Sequence, residues 1–278
     1  MMVFEQKDSS CLSWRGGAVT DHAYCVLAPN PSPLTNVGTN TWIVGKPAEP
    51  SCVVIDPGPV GSEHIYRIQE ICRAECKKIV AILITHCHSD HAPAAIELSE
   101  RTGAPILSRL QNNLPEGFLE IEGTSLSIEA ISLPGHSSDS VGFLSHDDRS
   151  FFTGDVIFSH SSTMIKWPDG SLAQYLDTLD KIAQLARLQR FERLLTGHGI
   201  PINNPNERIA ICRRHRLQRL NQVIAAVRSG IPAQADKLVD ALYNDVEPIL
   251  FEAAERSVNA QLRYAFDKGL LEEHRQQN

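Results

Sequence analysis

Four groups able to bind a metal, His86, His88, Asp90 and His91, fall within six residues in the stretch THCHSDHA. Three more stand alone further along: His136 in a Pro-Gly-His turn, Asp155 after Gly154, and His198 between Gly197 and Gly199. Imidazole and carboxylate are the side chains that suit zinc and similar divalent ions. His86 and His88 alternate along an extended turn, which puts both imidazoles on one side. The chain then enters a helix, which can turn Asp90 and His91 toward a second, neighbouring position. His136 and His198 can complete two separate shells, and Asp155 can bridge two cations through its two oxygens. Two cations that share one water lower its pKa from 15.7 toward about 7. The chemistry is then hydrolysis at a carbonyl or phosphorus centre, with Asp90 also placed to accept a proton from the nucleophile. A structural zinc site is a closed four-ligand cage, so a nucleic-acid-binding regulator with a purely structural metal fits this open pattern less well.

The elements that must hold these groups are written as alternating strand and helix patterns. Residues 41–44 and 52–55 read as strands closed by Gly or Pro. Residues 62–76 carry Ile65, Ile68, Ile71 and Cys72 at a helical period, with Cys72 and Cys76 as small buried hydrophobes. The run IVAILIT at 79–85 predicts a strand buried on both faces that delivers His86. Residues 92–100 begin a helix with Pro93 in its first turn. The segment 118–157 is strand-rich (FLEIEG, SLSIEAISL, VGFLS, SFFTGDVIF), with a hairpin turn at 146–149. A helix at 172–188 and a strand at 191–196 lead into GHG. This order predicts an α/β sandwich of layered sheets. Composition shifts at PINNP, and residues 207–229, 234–243 and 247–268 read as helices. The boundary near 203 divides a catalytic domain, 1–203, from a small helical domain, 204–278.

With 278 residues and 42% hydrophobic content the chain can bury a sizeable core. A net charge of −7 excludes a basic nucleic-acid wrapper. A local basic patch remains: Arg213, Arg216 and Arg219 are three apart on one helical face, with Arg214 to the side. It reads either as a phosphate-contact surface or as a solvated face. No run of 18 apolar residues occurs, so no membrane-spanning helix is expected. The N-terminal residues 1–17 lack the basic start and apolar run of a signal peptide. The seven scattered cysteines read as reduced thiols, which points to the cytoplasm. Oligomeric state is left open, a homodimer included.

THCHSDHA resembles the THxHxDH signature of the metallo-β-lactamase superfamily. LPGHSSDS, FTGDVIF and TGHG are similar to its later motifs, in the same order. The resemblance runs from about residue 36 to 200 and implies an αββα sandwich. It also implies that His86, His88 and His136 hold one metal, that Asp90, His91 and His198 hold the other, and that Asp155 bridges them. VIDPG resembles the first family motif, so Asp56 would orient ligands from behind. The ligand set suits two Zn2+ ions, and Mn2+ or Fe2+ would also fit. Lactam-hydrolysing members usually carry Arg where this chain has His91, and a cysteine ligand it lacks. Flavodiiron oxidoreductases have Glu in place of His88. Glyoxalase II has a glycine-and-cysteine motif where this chain reads FSHSSTMI. The stretches APNPSPLTNVGTNTWIVG, PDGSLAQYLDTLDKI and CRRHRLQRLNQVIAAV are similar to the β-lactamase-like protein 2 group. That group includes a single-strand endoribonuclease and enzymes that cleave acyl thioesters of carrier proteins, and its C-terminal domain resembles a winged helix. The resemblance therefore implies a binuclear metal-dependent hydrolase of single-stranded RNA, or alternatively a glyoxalase II-like thioesterase or small-ester hydrolase. The arginine helix favours RNA and the net negative charge favours the small substrate. Asn40 and Thr41 would touch substrate by resemblance, and His160, with Ser161 and Ser162, follows Asp155 closely enough to line the pocket.

Overall fold

The computed structural model describes residues 12–243 and 250–272. One sheet contains β1 (Gly17–Ala18), β2 (Ala23–Leu27), β3 (Asn40–Val44), β4 (Ser51–Ile55), β5 (Lys78–Leu83) and β6 (Ile106–Leu107), in that spatial order. The pairs up to β4 are antiparallel, and β4–β5–β6 are parallel. Parallel neighbours need crossovers, and α1 (Ser62–Ala74) and α2 (Ala94–Thr102) supply them. The second sheet contains β7 (Gly117–Phe118), β8 (Ile128–Ser132), β9 (Val141–Ser145), β10 (Ser150–Gly154) and β11 (Arg193–Thr196), ordered β11-β10-β9-β8-β7. Its one parallel pair, β10–β11, is crossed by α3 (Leu172–Arg187).

Side-chain alternation builds the layers. In β4, Val53 and Ile55 point between the sheets, where they meet Phe143 and Phe152. Cys52 and Val54 point outward onto Ile65, Ile68 and Leu98 of α1 and α2. In β10, Phe152 faces the inter-sheet core while Phe151 faces Leu176, Leu179 and Ile182 of α3. Both faces of the central strands are covered, as their nearly continuous apolar runs require, and the result is a four-layer αββα sandwich.

Local chemistry trims several predicted elements. The FLEIEG strand is reduced to Gly117–Phe118. Beyond it Glu49 and Asp147 accept the N–H groups of Ser125 and Ser127, which a neighbouring strand would otherwise take. Strand β10 stops at Gly154, whose φ of 49° turns the chain out of the ladder. Helix α1 ends at Ala74, and Cys76, at φ 52°, is exposed rather than buried with Cys72. The six described cysteines are free.

Beyond residue 203 come α4 (Pro205–Arg228), α5 (Ala235–Leu242) and α6 (Phe251–Asp267). Ile209, Cys212, Leu220, Ala260 and Ala265 join the core under α3, while Val223, Leu238, Val258 and Leu262 form a cluster of their own. No strand occurs among the described residues of this segment, so the strands of a winged helix are not found there. The first turn of the predicted helix 247–268, residues 273–278 of the tail and most of the N-terminal stretch tested for a leader lie outside the described residues. Among the described residues no helix is long and apolar enough to cross a membrane.

The two faces of α1 should respond differently to truncation. Ile68 is fully buried and Tyr66 is 54% exposed. Ile68→Ala is expected to lose about 2–5 kcal/mol and Tyr66→Ala to stay within about 0.5 kcal/mol, read from urea unfolding. Equal losses would contradict the placement of α1 on the sheet.

Candidate metal centre

The predicted ligands sit at one edge of the sandwich, where strands of both sheets end. Asp56 follows β4, His86 follows β5, Asp155 follows β10 and His198 follows β11. His136 follows β8, which runs in the same direction as β10 because both are antiparallel to β9. The sheets are tied at this edge by backbone bonds from Val141 N to Thr85 O and from Asn40 N to Gly197 O.

The hydrogen-bond pattern fixes the Nδ1 side of four of the five clustered histidines. Thr85 Oγ1 donates to Asp56 Oδ2 at 2.6 Å, so it can only accept from His86 Nδ1, 3.0 Å away. His91 Nδ1 donates to Asp56 Oδ2 at 2.9 Å, His136 Nδ1 to the Met164 carbonyl at 2.7 Å, and His198 Nδ1 to the Gly38 carbonyl at 3.1 Å. All four rings therefore turn Nε2 inward. His86 Nε2 lies 3.1 Å and His136 Nε2 3.0 Å from His88 Nδ1. His91 Nε2 and His198 Nε2 lie 3.3 Å apart.

Ring nitrogens this close repel unless a proton or a metal ion lies between them. Ligand atoms of a tetrahedral zinc ion are roughly 3.3 Å apart, close to what these rings present. Three groups of side chains lie this close: His86, His88 and His136; Asp90, His91, Asp155 and His198; and Asp56, His86 and His91, of which Asp56 is already bonded to Thr85 and His91 Nδ1. Asp155 faces the first two, with Oδ1 3.2 Å from His91 Nε2 and 3.4 Å from His198 Nε2, and Oδ2 3.8 Å from His136 Nε2. Its Oδ1 is buried without a hydrogen bond of acceptable geometry, an orphaned anion that a metal would satisfy. Asp90 Oδ2 lies 3.2 Å from His198 Nε2. The donor set fits divalent ions.

The field of the site has two halves. Burial lowers His136 to about 4 and, with the neighbouring His91, holds His86 well below the usual range. Neutral imidazoles result, with lone pairs free to ligate. Burial opposes charge on His198 as well, but the Asp155 and Asp90 carboxylates outweigh it and push His198 up to about 9. Asp155 and Asp56 likewise hold His91 well above its usual range, against burial. Burial would raise the carboxyls of Asp90 and Asp155, yet His198 and His91 hold both well below the ordinary carboxylate range. The carboxylate half thus draws positive charge into the cleft.

These observations meet independent comparisons with known proteins. The sequence profile of the metallo-beta-lactamase superfamily matches residues 34–112 and 108–188. The chain belongs to that superfamily. It is 25% identical to a "Beta-lactamase-like protein 2 homolog" of Caenorhabditis elegans, over 91% of this chain and 87% of the relative. It is 30% identical to an "Atrochrysone carboxyl ACP thioesterase" of Aspergillus chevalieri, over 76% of this chain and 68% of the relative. A beta-lactamase domain protein from Burkholderia ambifaria has the same fold, with a TM-score of 0.74 at 18% identity, covering 91% of this chain and 88% of that one. The chain is a hydrolase of this superfamily, with His and Asp groups able to hold metal.

Several supports of this metallo-β-lactamase site were absent from the sequence reading. Asp139 accepts from Cys87 N at 2.9 Å and from Ser137 Oγ at 2.7 Å, so one carboxylate ties the His86–His88 turn to the His136 turn. It stands in the quoted LPGHSSDS stretch, and a carboxylate three residues from a candidate ligand was the available signal. Gly197 is required by close approach: a Cβ there would run into Asp155 Oδ1 and come 2.8 Å from His91 Cε1. Gly135, at φ 135°, lets the His136 turn lie directly on the Tyr175 backbone. Thr163 Oγ1 adds a contact of 2.9 Å to His136 Nδ1.

The expected substrate residues divide. His160 is half-buried beside the site, its Cε1 3.1 Å from where a Cβ of Gly199 would stand. Asn40 and Thr41, expected to touch substrate, are fully buried with their side chains bonded inward. Asn40 Nδ2 donates to the carbonyls of Thr196 and Gly199 at 3.0 and 2.8 Å, and its Oδ1 accepts from Trp14 at 2.9 Å. Thr41 Oγ1 donates to the Asp56 carbonyl at 2.7 Å. The arginine face is corrected. Arg216 and Arg219 are 7% and 8% exposed, and half-exposed Arg213 pairs with Asp180 at 2.9 Å. Their turn of α4 packs inward because Arg208, Cys212, Arg216 and Arg219 share its buried side.

Asp56 accepts from Thr85 N, Thr85 Oγ1 and His91 Nδ1 at once. Asp56→Asn removes one acceptor oxygen and leaves an amide facing a donor. Zinc titration of the purified variant should show affinity weakened by about 10–100-fold. Unchanged affinity would mean that the ring of His91 is fixed by something else.

Proposed function

We propose that this chain hydrolyses acyl thioesters or related small esters with two divalent ions held side by side. The observation that carries the reading is Asp155, one carboxylate turned toward both ligand groups. In this reading His86, His88 and His136 would hold one ion and Asp90, His91 and His198 the other, with Asp155 facing both groups. Bound divalent ions supply water of lowered pKa and an electrophilic contact for the scissile carbonyl oxygen.

The remaining work falls to the chain. Asp90, with a side chain 25% exposed, reaches the cleft and accepts a hydrogen bond from the attacking water through a carboxylate oxygen, which orients it. Asp56 and Thr85 keep the rings of His91 and His86 in the tautomers that ligate. Phe158, 5.4 Å from His198 ring to ring, shields that side from solvent. Water oxygen joins the acyl carbon, the carbon–sulfur bond breaks, and a carboxylate and a thiol leave. A thiol has a pKa of about 8.5, so the thiolate departs without a general acid, and a site whose polar groups are chiefly acceptors suffices.

Three findings support the small ester over RNA. The thioesterase of Aspergillus chevalieri is 30% identical over 76% of this chain. Arg216 and Arg219, the cations best spaced for phosphates, are turned into the protein. The net charge is −7, which repels a polyanion.

The test uses zinc-loaded protein, a panel of acyl-coenzyme A and acyl-N-acetylcysteamine thioesters, and labelled single-stranded RNA. Thioester cleavage is expected, with RNA left intact; RNA cleavage with the thioesters untouched would overturn the substrate assignment. Asp90→Ala should lower kcat by about 10²–10⁴-fold. Dialysis against a chelator should abolish turnover, and added Zn2+, Mn2+ or Fe2+ should restore it.

A further inference from the structure

The segment from Phe158 to Gly170 contains no regular strand or helix, so its carbonyls must find partners outside a ladder. Helix α4 provides several. Arg208 is 7% exposed and donates through Nε to the Phe158 carbonyl and through Nη2 to the Ser161 carbonyl, both at 2.6 Å. His215 Nδ1 meets Ser162 Oγ at 2.8 Å. Arg216, also 7% exposed, donates through Nη2 to the Thr163 carbonyl. The two arginines lie eight residues apart, about 12 Å along the helix, and between them they hold this segment along its first half.

The residue held by Arg216 and its neighbour are those that hold His136. Thr163 Oγ1 lies 2.9 Å from His136 Nδ1, and the Met164 carbonyl accepts from the same nitrogen at 2.7 Å. Arg216 also stands 5.3 Å over the ring of Tyr175. Tyr175 donates its hydroxyl to the Val156 carbonyl at 2.9 Å, next to Asp155, and its backbone lies against Gly135, next to His136. A guanidinium buried without partners costs several kcal/mol, and a Leu or Met at this place would pack without that penalty.

We propose that Arg216, assisted by Arg208, is a positioning residue for the metal centre: it fixes the Thr163–Met164 backbone that locks His136 with its Nε2 toward the metal. Helix α4 is then part of the site's scaffold rather than a surface for nucleic acid. The proposal rests on His136 being a metal ligand.

The test compares wild type with Arg216→Met, Arg216→Lys and Arg219→Met in the full chain, each checked for folding by circular dichroism. Arg219 is the control, since it is buried on the same helix but stacks 4.0 Å over Tyr243, away from the 158–170 segment. Zinc affinity is read by competition with a chromophoric chelator, and the tautomer of His136 by long-range 1H–15N correlation of the imidazoles. Arg216→Met should weaken zinc binding by about 10–100-fold, and Arg219→Met should change it by less than about twofold. His136 should lose its single Nδ1–H tautomer only in the Arg216 variants. Arg216→Lys, which keeps the charge without the planar fork, should fall between and serves where the methionine variant does not fold. Equal effects of the Arg216 and Arg219 variants, or an unchanged His136 tautomer in both Arg216 variants, would overturn the proposal. Wild-type protein that binds no zinc would refute the metal reading itself, and the tautomer measurement would still decide the role of Arg216.

Discussion

Inward-facing Nε2 atoms are the constraint around which this protein is arranged. Four imidazoles give their Nδ1–H groups to Thr85 Oγ1, Asp56, the Met164 carbonyl and the Gly38 carbonyl. Each is thereby compelled to turn Nε2 toward a common space. Apposed ring nitrogens and a buried carboxylate oxygen without a hydrogen bond are unfavourable in a low-dielectric interior unless positive charge lies among them. The acceptors behind the rings decide the chemistry as much as the rings do, and they come from four separate stretches of chain.

The sandwich makes such an arrangement affordable. Strands buried on both faces form a stiff frame, and the groups that do chemistry are placed where those strands end, so that no polar ligand interrupts a ladder. The seam between the sheets is closed by backbone bonds from Val141 to Thr85 and from Asn40 to Gly197. At two points the ligands come so near to other backbone that only glycine fits: Gly135 on Tyr175, and Gly197 on Asp155 and His91. The loops of the site are irregular but tightly determined.

Charge is distributed by the same logic. The carboxylates of Asp90, Asp155 and Asp56 surround His91 and His198, while His86, His88 and His136 form an all-imidazole group. The cations that could have made an outer phosphate-binding face are largely drawn inward, onto carbonyls in the case of Arg208 and Arg216 and onto an aromatic ring in that of Arg219. A chain with a net charge of −7 and its best-spaced arginines buried presents little to attract a polyanion.

The sequence alone was enough to point to the residues that meet in the cleft and to the layers around them. His86, His88, Asp90 and His91 lie close along the chain, and His136, Asp155 and His198 each carry a local signature of strand end and glycine. The alternation of Val53 and Ile55 against Cys52 and Val54 likewise needs only period two. What it could not determine was direction. Arg216 and Arg219 have a spacing that suits a solvent-facing stripe as well as a buried one, and only the packing of α4 against α3 and the 158–170 segment turned them inward. Asn40 and Thr41 belong to the same case, because a polar residue at a strand start is buried or open according to what crosses above it. The acceptors of His136 and His198 are backbone carbonyls, which no side-chain pattern encodes. Short-range periodicity is a property of the chain, whereas the partner of a buried polar group is a property of two segments meeting, and that is decided only when the layers close.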